Sequence, residues 1–242
     1  MKRKKNFFWR RISFLFGFSV VCMLIVSVTY FAGERITSAV GGEPSSAAGK
    51  ITVIIDAGHG GRDGGASTEE GVLEKDLNLA VALKLRALIS ELDVNVVMTR
   101  ETDVMLADEN SEHKKRDDLN ARLDMSREYE NCIFVSIHMN KFPVEKYSGL
   151  QVYYSGNNGE SAALAEMIQS VACEFLRKGN ARTVKEADSS IYILHNIEVP
   201  AVLVECGFLS NNEEAALLQT EEYQNKLAAV IFAAVAEHIQ GE

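Results

Sequence analysis

The feature that most constrains the fold is an alternation of short, β-branched apolar runs with longer segments whose apolar residues recur at helical spacing. The short runs are typical of buried strands, and the longer segments are typical of helices packed on a sheet. The alternation predicts an α/β fold, a mainly parallel twisted sheet with helices on both faces. We expect strands at 51–56, 94–99, 132–138, 150–154 (an edge strand), 191–194 and 199–205, and helices at 74–92, 118–129, 161–177 and 222–239.

Two histidines and two glutamates stand where these predicted strands end or helices begin. His59 follows the first strand and Glu74 begins the first helix, while His138 and Glu205 each end an apolar strand. Because active sites of such sheets gather beyond the carboxyl ends of the strands, we expect His59, His138 and Glu205 to share one site. Two imidazoles and one carboxylate form the ligand set of an open zinc site, and a second carboxylate is then available as a general base. The pattern favours a metal-dependent hydrolase.

Three of these residues have plainer explanations when each is taken alone. The glycine-rich run 58–65 could be a phosphate-binding loop, but Asp63 stands where the third glycine of a Gly-x-Gly-x-x-Gly motif belongs. Glu74 would be favourable in any first helical turn because of the helix dipole, and His138 could be a hydrogen-bonded core histidine. Glu205 is harder to explain structurally, since a carboxylate after an apolar strand is costly to bury unless it is paired or lies beside a metal.

The segments around these residues resemble the zinc-dependent N-acetylmuramoyl-L-alanine amidases of type 3, which cleave between the sugar and the stem peptide of peptidoglycan. The resemblance runs from about Lys50 to the C-terminus and is carried by residues 54–61, 73–77, 135–140 and 200–208. It implies one zinc ion bound by His59, Glu74 and His138, with Glu205 as the catalytic residue that moves the proton.

Within this family the chain is most similar to the short, membrane-anchored, germination-specific subgroup that acts on spore cortex. That similarity rests on overall length, on the lack of extra domains and on the stretch 207–211. It implies hydrolysis of the bond between N-acetylmuramoyl and L-alanine during cortex maturation, where muramic lactam forms. Asn140 and His195 are candidate substrate-binding residues, although for His195 the favoured interpretation is an exposed loop histidine.

The N-terminal segment predicts a membrane anchor. Residues 1–11 are basic, and residues 12–33 are uncharged and mostly apolar over a length that spans a bilayer as a helix. The positive-inside rule keeps the basic segment in the cytoplasm. It places the catalytic domain, 50–242, outside the membrane after the linker 34–49, in the cell wall or the forespore intermembrane space. A cleaved signal peptide is the alternative for 12–33.

The body that follows this segment is strongly acidic. The first 33 residues hold six of the 25 basic side chains and none of the 34 acids, so the rest carries a formal charge of −15. This argues against a nucleic-acid partner, because binding one requires cations that neutralise its phosphates. The expected partner is peptidoglycan. Without a separate wall-binding domain, affinity has to come from the catalytic cleft or from an accessory activating protein.

Two other functions stay open at this point. A zinc carboxypeptidase or another peptidase acting on stem peptides would use similar metal ligands. A wall-associated module that binds metal without turnover would be expected to lack a general base, whereas Glu205 is present.

Overall fold

The computed structural model describes residues 49–176, Asn180 and 182–241. The predicted basic segment 1–11, the anchor 12–33 and most of the linker 34–49 lie outside the described residues. Within the part that is described, no helix is long and apolar enough to cross a membrane.

Strands and helices alternate along the described chain. The strands are β1 (Thr52–Ala57), β2 (Asn95–Met98), β3 (Cys132–Asn140), β4 (Gln151–Tyr154), β5 (Lys185–Glu186) and β6 (Ala201–Phe208). The helices are α1 (Glu74–Ile89), α2 (Lys114–Arg127), α3 (Glu160–Phe175), α4 (Tyr192–Asn196), α5 (Asn212–Leu218) and α6 (Glu221–Gln240).

The strands form one mixed sheet in the order β2-β1-β3-β6-β4-β5. The neighbours β2–β1, β1–β3, β3–β6 and β4–β5 run parallel, and β6–β4 is antiparallel. The sheet is therefore mainly parallel, and the carboxyl ends of β1, β3 and β6 meet at one edge.

Apolar side chains of the sheet divide between two layers, as the period of two residues in a strand requires. Val53 and Ile55 of β1 pack in the larger layer with α1, α3 and α6, whereas Ile54 packs in a smaller layer with α2 and α4. Helices therefore cover both faces.

The structure corrects two predicted strands. Residues 192–194 belong to the helix α4, with Ile191 as its N-cap, and not to a strand. A four-residue apolar run cannot distinguish the two, and Ile193 and Leu194 are buried in either case. The strand predicted at 150–154 is not an edge strand, because β5 pairs with its outer side. Sequence reasoning missed β5, which has only two residues, both exposed, and so carries no apolar pattern.

Candidate active site

The backbone turns sharply after β1 and presents the ring of His59. Among the described residues, His59 is the one non-glycine residue with a positive φ, 61°, and Gly60 and Gly61 follow with φ of 138° and 56°. This conformation costs a residue with a Cβ about 1–3 kcal/mol. A hydrogen bond of 2.7 Å from Nη2 of Arg122 to the carbonyl of His59 helps to hold the turn.

Close approach requires glycine at two positions of this loop. A Cβ on Gly58 would lie 2.2 Å from Nε2 of His138. A Cβ on Gly65, which has a φ of 67°, would lie 2.5 Å from Oε2 of Glu74. The glycine-rich run therefore packs directly against the predicted metal ligands, which explains its composition without a phosphate.

Glu74 stands at the start of α1 and joins the two histidines. Its Oε1 lies 2.9 Å from Nδ1 of His138 and 3.3 Å from Nε2 of His59, and it accepts a hydrogen bond of 3.1 Å from the Met139 amide. Oε2 accepts one of 2.8 Å from the Ala66 amide. Burial opposes ionisation, but hydrogen bonds to His138 and His59 and their charges hold the pKa of Glu74 well below its usual value.

The two imidazoles and this carboxylate form a compact donor group. Each of His59, Glu74 and His138 offers one ligand atom, and these atoms lie within 4.8 Å of one another. The ring centroids of the histidines are 5.0 Å apart, with the ring planes at 74°. Two nitrogens and one oxygen are the donor set of an open zinc site, so the residues present fit that ion.

A second carboxylate orients the His59 ring. Oδ2 of Asp63 lies 3.0 Å from Nδ1 of His59, so Nε2 is the nitrogen that faces Glu74. Burial lowers the pKa of His59, but Glu74 and Asp63 outweigh it and raise the pKa. Metal-binding histidines commonly have such a carboxylate partner on the other ring nitrogen.

Glu205 lies beside His138 on the neighbouring strand, where the two are register partners in the parallel pair β3–β6. Its Oε2 is buried and has no hydrogen-bond partner among the described residues. Burial raises the pKa of Glu205 to about 7; the Glu74 charge also raises it, whereas His138 lowers it. The arrangement places a proton acceptor that titrates near neutral pH next to the donor group.

Sequence reasoning missed a buried ionic network behind the His59 turn. Asp56 is fully buried and accepts hydrogen bonds from Arg122 Nη1 (2.5 Å), Ser136 Oγ (2.5 Å) and Thr99 Oγ1 (2.7 Å). Burial opposes ionisation, but Arg122 and these hydrogen bonds hold the pKa of Asp56 below its usual value. One signal was available: an aspartate that follows two buried isoleucines needs a partner.

A second arginine fixes the same turn from the other side. Arg100 donates to the carbonyls of Ala57 (2.8 Å), Gly58 (3.1 Å) and Lys75 (2.7 Å). The first two carbonyls precede His59 and the third follows Glu74 in the first turn of α1, so this guanidinium ties the His59 turn to the start of that helix.

Within the described part of the chain, no hydrogen bond or ion pair joins Asn140 or His195 to the four central side chains. Asn140 ends β3, and its carbonyl accepts a hydrogen bond of 2.7 Å from the Leu209 amide. His195 is exposed near the end of α4, and its carbonyl accepts one of 2.9 Å from Asn157. Their roles in substrate binding stay predictions.

The sequence profile of the N-acetylmuramoyl-L-alanine amidase family Amidase_3 matches residues 53–237. The chain belongs to the Amidase_3 family. Its relatives include the germination-specific N-acetylmuramoyl-L-alanine amidase of Bacillus subtilis (strain 168), with 38% identity over 195 residues, or 78% of this chain and 80% of that protein. N-acetylmuramoyl-L-alanine amidase AmiA of Escherichia coli (strain K12) is 26% identical over 227 residues, and the match covers 76% of this chain and 74% of that protein.

A solved amidase structure is also similar to this chain. The CwlD amidase of Clostridioides difficile, in complex with the GerS lipoprotein, matches with a TM-score of 0.76 and 39% identity over 80% of this chain and all of that one. The predicted family and the prediction that the chain is an amidase-class hydrolase are thereby confirmed.

Proposed function

We propose that this Amidase_3 chain hydrolyses the amide bond between N-acetylmuramic acid and L-alanine in peptidoglycan. The observation that carries the proposal is the register pairing of Glu205 with His138, because it puts a buried carboxylate beside the two-imidazole, one-carboxylate group of a chain with this family membership.

We assign His59, Glu74 and His138 as the residues that would hold one zinc ion. A zinc ion held there would supply Lewis-acid chemistry, which would polarise the scissile carbonyl and make the attacking water easier to deprotonate. Glu74 supplies the anionic ligand, since its lowered pKa keeps it ionised at neutral pH. Asp63 holds the His59 ring with Nε2 toward the centre.

Glu205 moves the proton in this mechanism. Its carboxylate accepts a proton from the attacking water and returns it to the amine of the departing L-alanine. Glu205 suits both steps because its carboxylate lies beside the assigned ligands and its buried Oε2 has no hydrogen-bond partner among the described residues. No covalent intermediate with the protein is required.

The alternatives fit less well. A module without turnover has no use for a carboxylate with an unpartnered buried oxygen beside the metal ligands. A stem-peptide peptidase would share the ligands, but the relatives named above are N-acetylmuramoyl-L-alanine amidases.

Similarity to the germination-specific relative supports a role in spore cortex maturation, with preparation of muramic acid for lactam formation. We further propose that residues 50–242 are the catalytic domain and act outside the cytoplasmic membrane, with residues 12–33 as the anchor. The relative that forms a complex with a lipoprotein supports an accessory protein as a partner.

Muropeptide analysis tests the proposed bond. Spore cortex and vegetative peptidoglycan would be incubated with the zinc-loaded full-length chain, and new amino termini would be labelled and identified by mass spectrometry. The expected product has a free L-alanine amine beside an intact glycan strand. New termini within the stem peptide, with the lactyl amide intact, would show that the chain is a stem-peptide peptidase instead.

A further inference from the structure

A guanidinium group lies near Glu205 that the proposed reaction does not use. Cζ of Arg182 lies 4.6 Å from the ring centroid of Phe208 and 6.0 Å from that of Tyr147. Nε donates to the Ser148 carbonyl at 3.1 Å, and Nη1 donates to Oε1 of Gln151 at 3.4 Å. The aromatic rings and these two bonds fix the plane of the guanidinium before any substrate arrives.

Arg182 reaches the neighbourhood of the catalytic carboxylate through β4. Gln151, which accepts from Arg182, is the register partner of Glu205 in the antiparallel pair β4–β6. Residues paired in this way have Cα atoms about 4.5–5.5 Å apart. Both groups act on the phenol of Tyr153. Burial and the Glu205 carboxylate raise the pKa of this phenol, and Arg182 lowers it.

Within the described part of the chain, this arginine has no anionic partner. Among the residues that the structure describes, no carboxylate lies within 4.0 Å of Arg182, and its Nη2 has no hydrogen-bond partner. Arg122, by contrast, is paired with Asp56 at 2.5 Å. In a body with a large excess of acids, a pre-oriented guanidinium without a carboxylate is available for an anion from outside.

Two lysines add positive charge to the same flank. Nζ of Lys146 lies 5.5 Å from the ring centroid of Tyr147, and Nζ of Lys185 lies 5.9 Å from that of Tyr153. Arg182 lies 6.0 Å from the Tyr147 ring and acts on the Tyr153 phenol, so the two lysines add positive charge around the same rings; Asp188, which also acts on Tyr153, has the opposite sign.

A cleft near the His59 loop differs from the Arg182 flank, because acids outnumber bases in its lining. It has a volume of about 300 Å³ and begins beside Gly61. Its lining includes three acids, Asp103, Asp108 and Glu109, against the two bases Arg62 and Lys114. The charged residues of this lining sum to a formal charge of −1, which disfavours a carboxylate there, whereas an uncharged N-acetyl sugar is tolerated.

We propose that Arg182 determines substrate specificity by binding the free carboxylate of the stem-peptide residue that follows L-alanine. The inference rests on the proposed function. It also predicts the orientation of the bound substrate, with the stem peptide toward Arg182 and the sugar toward the cleft beside Gly61. One residue of extended peptide spans about 3.5 Å. This reach is compatible with Arg182, whose partner Gln151 lies on the strand next to that of Glu205.

A pair of small substrates tests this assignment. N-acetylmuramoyl-L-alanyl-D-glutamate and its isoglutamine counterpart both carry a γ-carboxylate and differ only in having a carboxylate or a carboxamide at the α-carbon of the second residue, so they test binding of the α-carboxylate. The zinc-loaded full-length wild type should cleave the carboxylate substrate with a kcat/KM about 10- to 100-fold higher, the range for a hydrogen bond to a charged group. Arg182→Gln should bring the ratio of the two kcat/KM values to about 1, because it slows cleavage of the carboxylate substrate alone. Arg182→Lys should retain part of the preference.

The control variant is Arg86→Gln, which removes a surface arginine paired with Glu101 at 2.7 Å in the last turn of α1. It should leave the ratio unchanged. Equal slowing of both substrates by Arg182→Gln would show that Arg182 only supports the loop, and it would overturn the proposal. Equal cleavage of the two substrates by the wild type would overturn it as well. Failure of the wild type to cleave either substrate would contradict the proposed function itself.

Inhibition of the wild type avoids any dependence on how the variant folds. L-alanyl-D-glutamate should inhibit at least about tenfold more strongly than L-alanyl-D-isoglutamine, because both keep the γ-carboxylate of the second residue but only the first carries its free α-carboxylate. Equal inhibition constants for the two dipeptides would overturn the proposal.

Discussion

His138 and Glu205 are register partners on adjacent parallel strands, so the sheet itself fixes a predicted metal ligand beside the predicted proton acceptor. Strand pairing holds such a relationship more rigidly than a loop does. The other two predicted ligands come from elements that converge on this pair, with His59 on the turn after β1 and Glu74 at the start of α1.

Removal of either imidazole should abolish stoichiometric zinc binding. His59→Ala and His138→Ala each leave two of the three predicted ligands, and zinc content measured by atomic emission on the purified variants should fall well below that of the wild type. His113→Ala is the control, since His113 is exposed just before α2. Undiminished zinc in both ligand variants would contradict the assignment.

Glu205→Gln should retain the fold and the metal but lose turnover by about 10²–10⁴-fold, because the amide has nearly the same shape and cannot accept the proton. The measurement is the rate of release of L-alanine amines from peptidoglycan, with zinc content and circular dichroism recorded on the same sample. A rate close to that of the wild type would mean that another residue is the base.

The Glu205 pKa of about 7 also makes a prediction about the zinc-free protein. Because this value is raised above the ordinary 4.5, the folded state binds the proton more tightly than the unfolded state. The stabilisation is fully present below pH 4.5 and is lost as the pH rises through 7. Urea unfolding of zinc-free wild type should therefore show a decline in stability over this window that zinc-free Glu205→Gln lacks. Parallel curves for the two proteins would contradict the raised pKa.

The buried pair of Asp56 and Arg122 should be important for stability. Arg122→Met leaves a buried carboxylate without its cation, which costs about 3–5 kcal/mol in the free energy of unfolding. Arg127→Met, which breaks an exposed pair with Asp124 on the same helix, should cost less than about 1 kcal/mol. Chemical denaturation of the zinc-loaded proteins measures both, and similar losses for the two variants would contradict a structural role for the buried network.

Much of this site was predictable from the sequence, because its residues stand at strand ends and the strands are apolar and β-branched. His59, His138 and Glu205 could be placed at one edge of a parallel sheet, since such strands bring their carboxyl ends together. Glu74 could be placed only through the family resemblance, because a glutamate in a first helical turn is ordinary.

The supporting contacts could not be predicted, because they join residues far apart in the chain. Arg122 bonds the His59 carbonyl, and Arg182 approaches Glu205 only through the pairing of β4 with β6. The error at 191–194 has a local cause: a short apolar run is compatible with a strand or with one helical turn, and tertiary packing decides between them.

The central claim, that the chain breaks the muramoyl-L-alanine amide by attack of water, is tested most directly by digestion in heavy-oxygen water. Peptidoglycan treated with zinc-loaded wild type should yield muramic acid with the heavy isotope in the lactyl carboxylate, together with L-alanine that has a free amine. Digestion with Glu205→Gln should leave the lactyl carbonyl unlabelled. Heavy oxygen in a stem-peptide carboxylate, with the lactyl amide intact, would contradict the account.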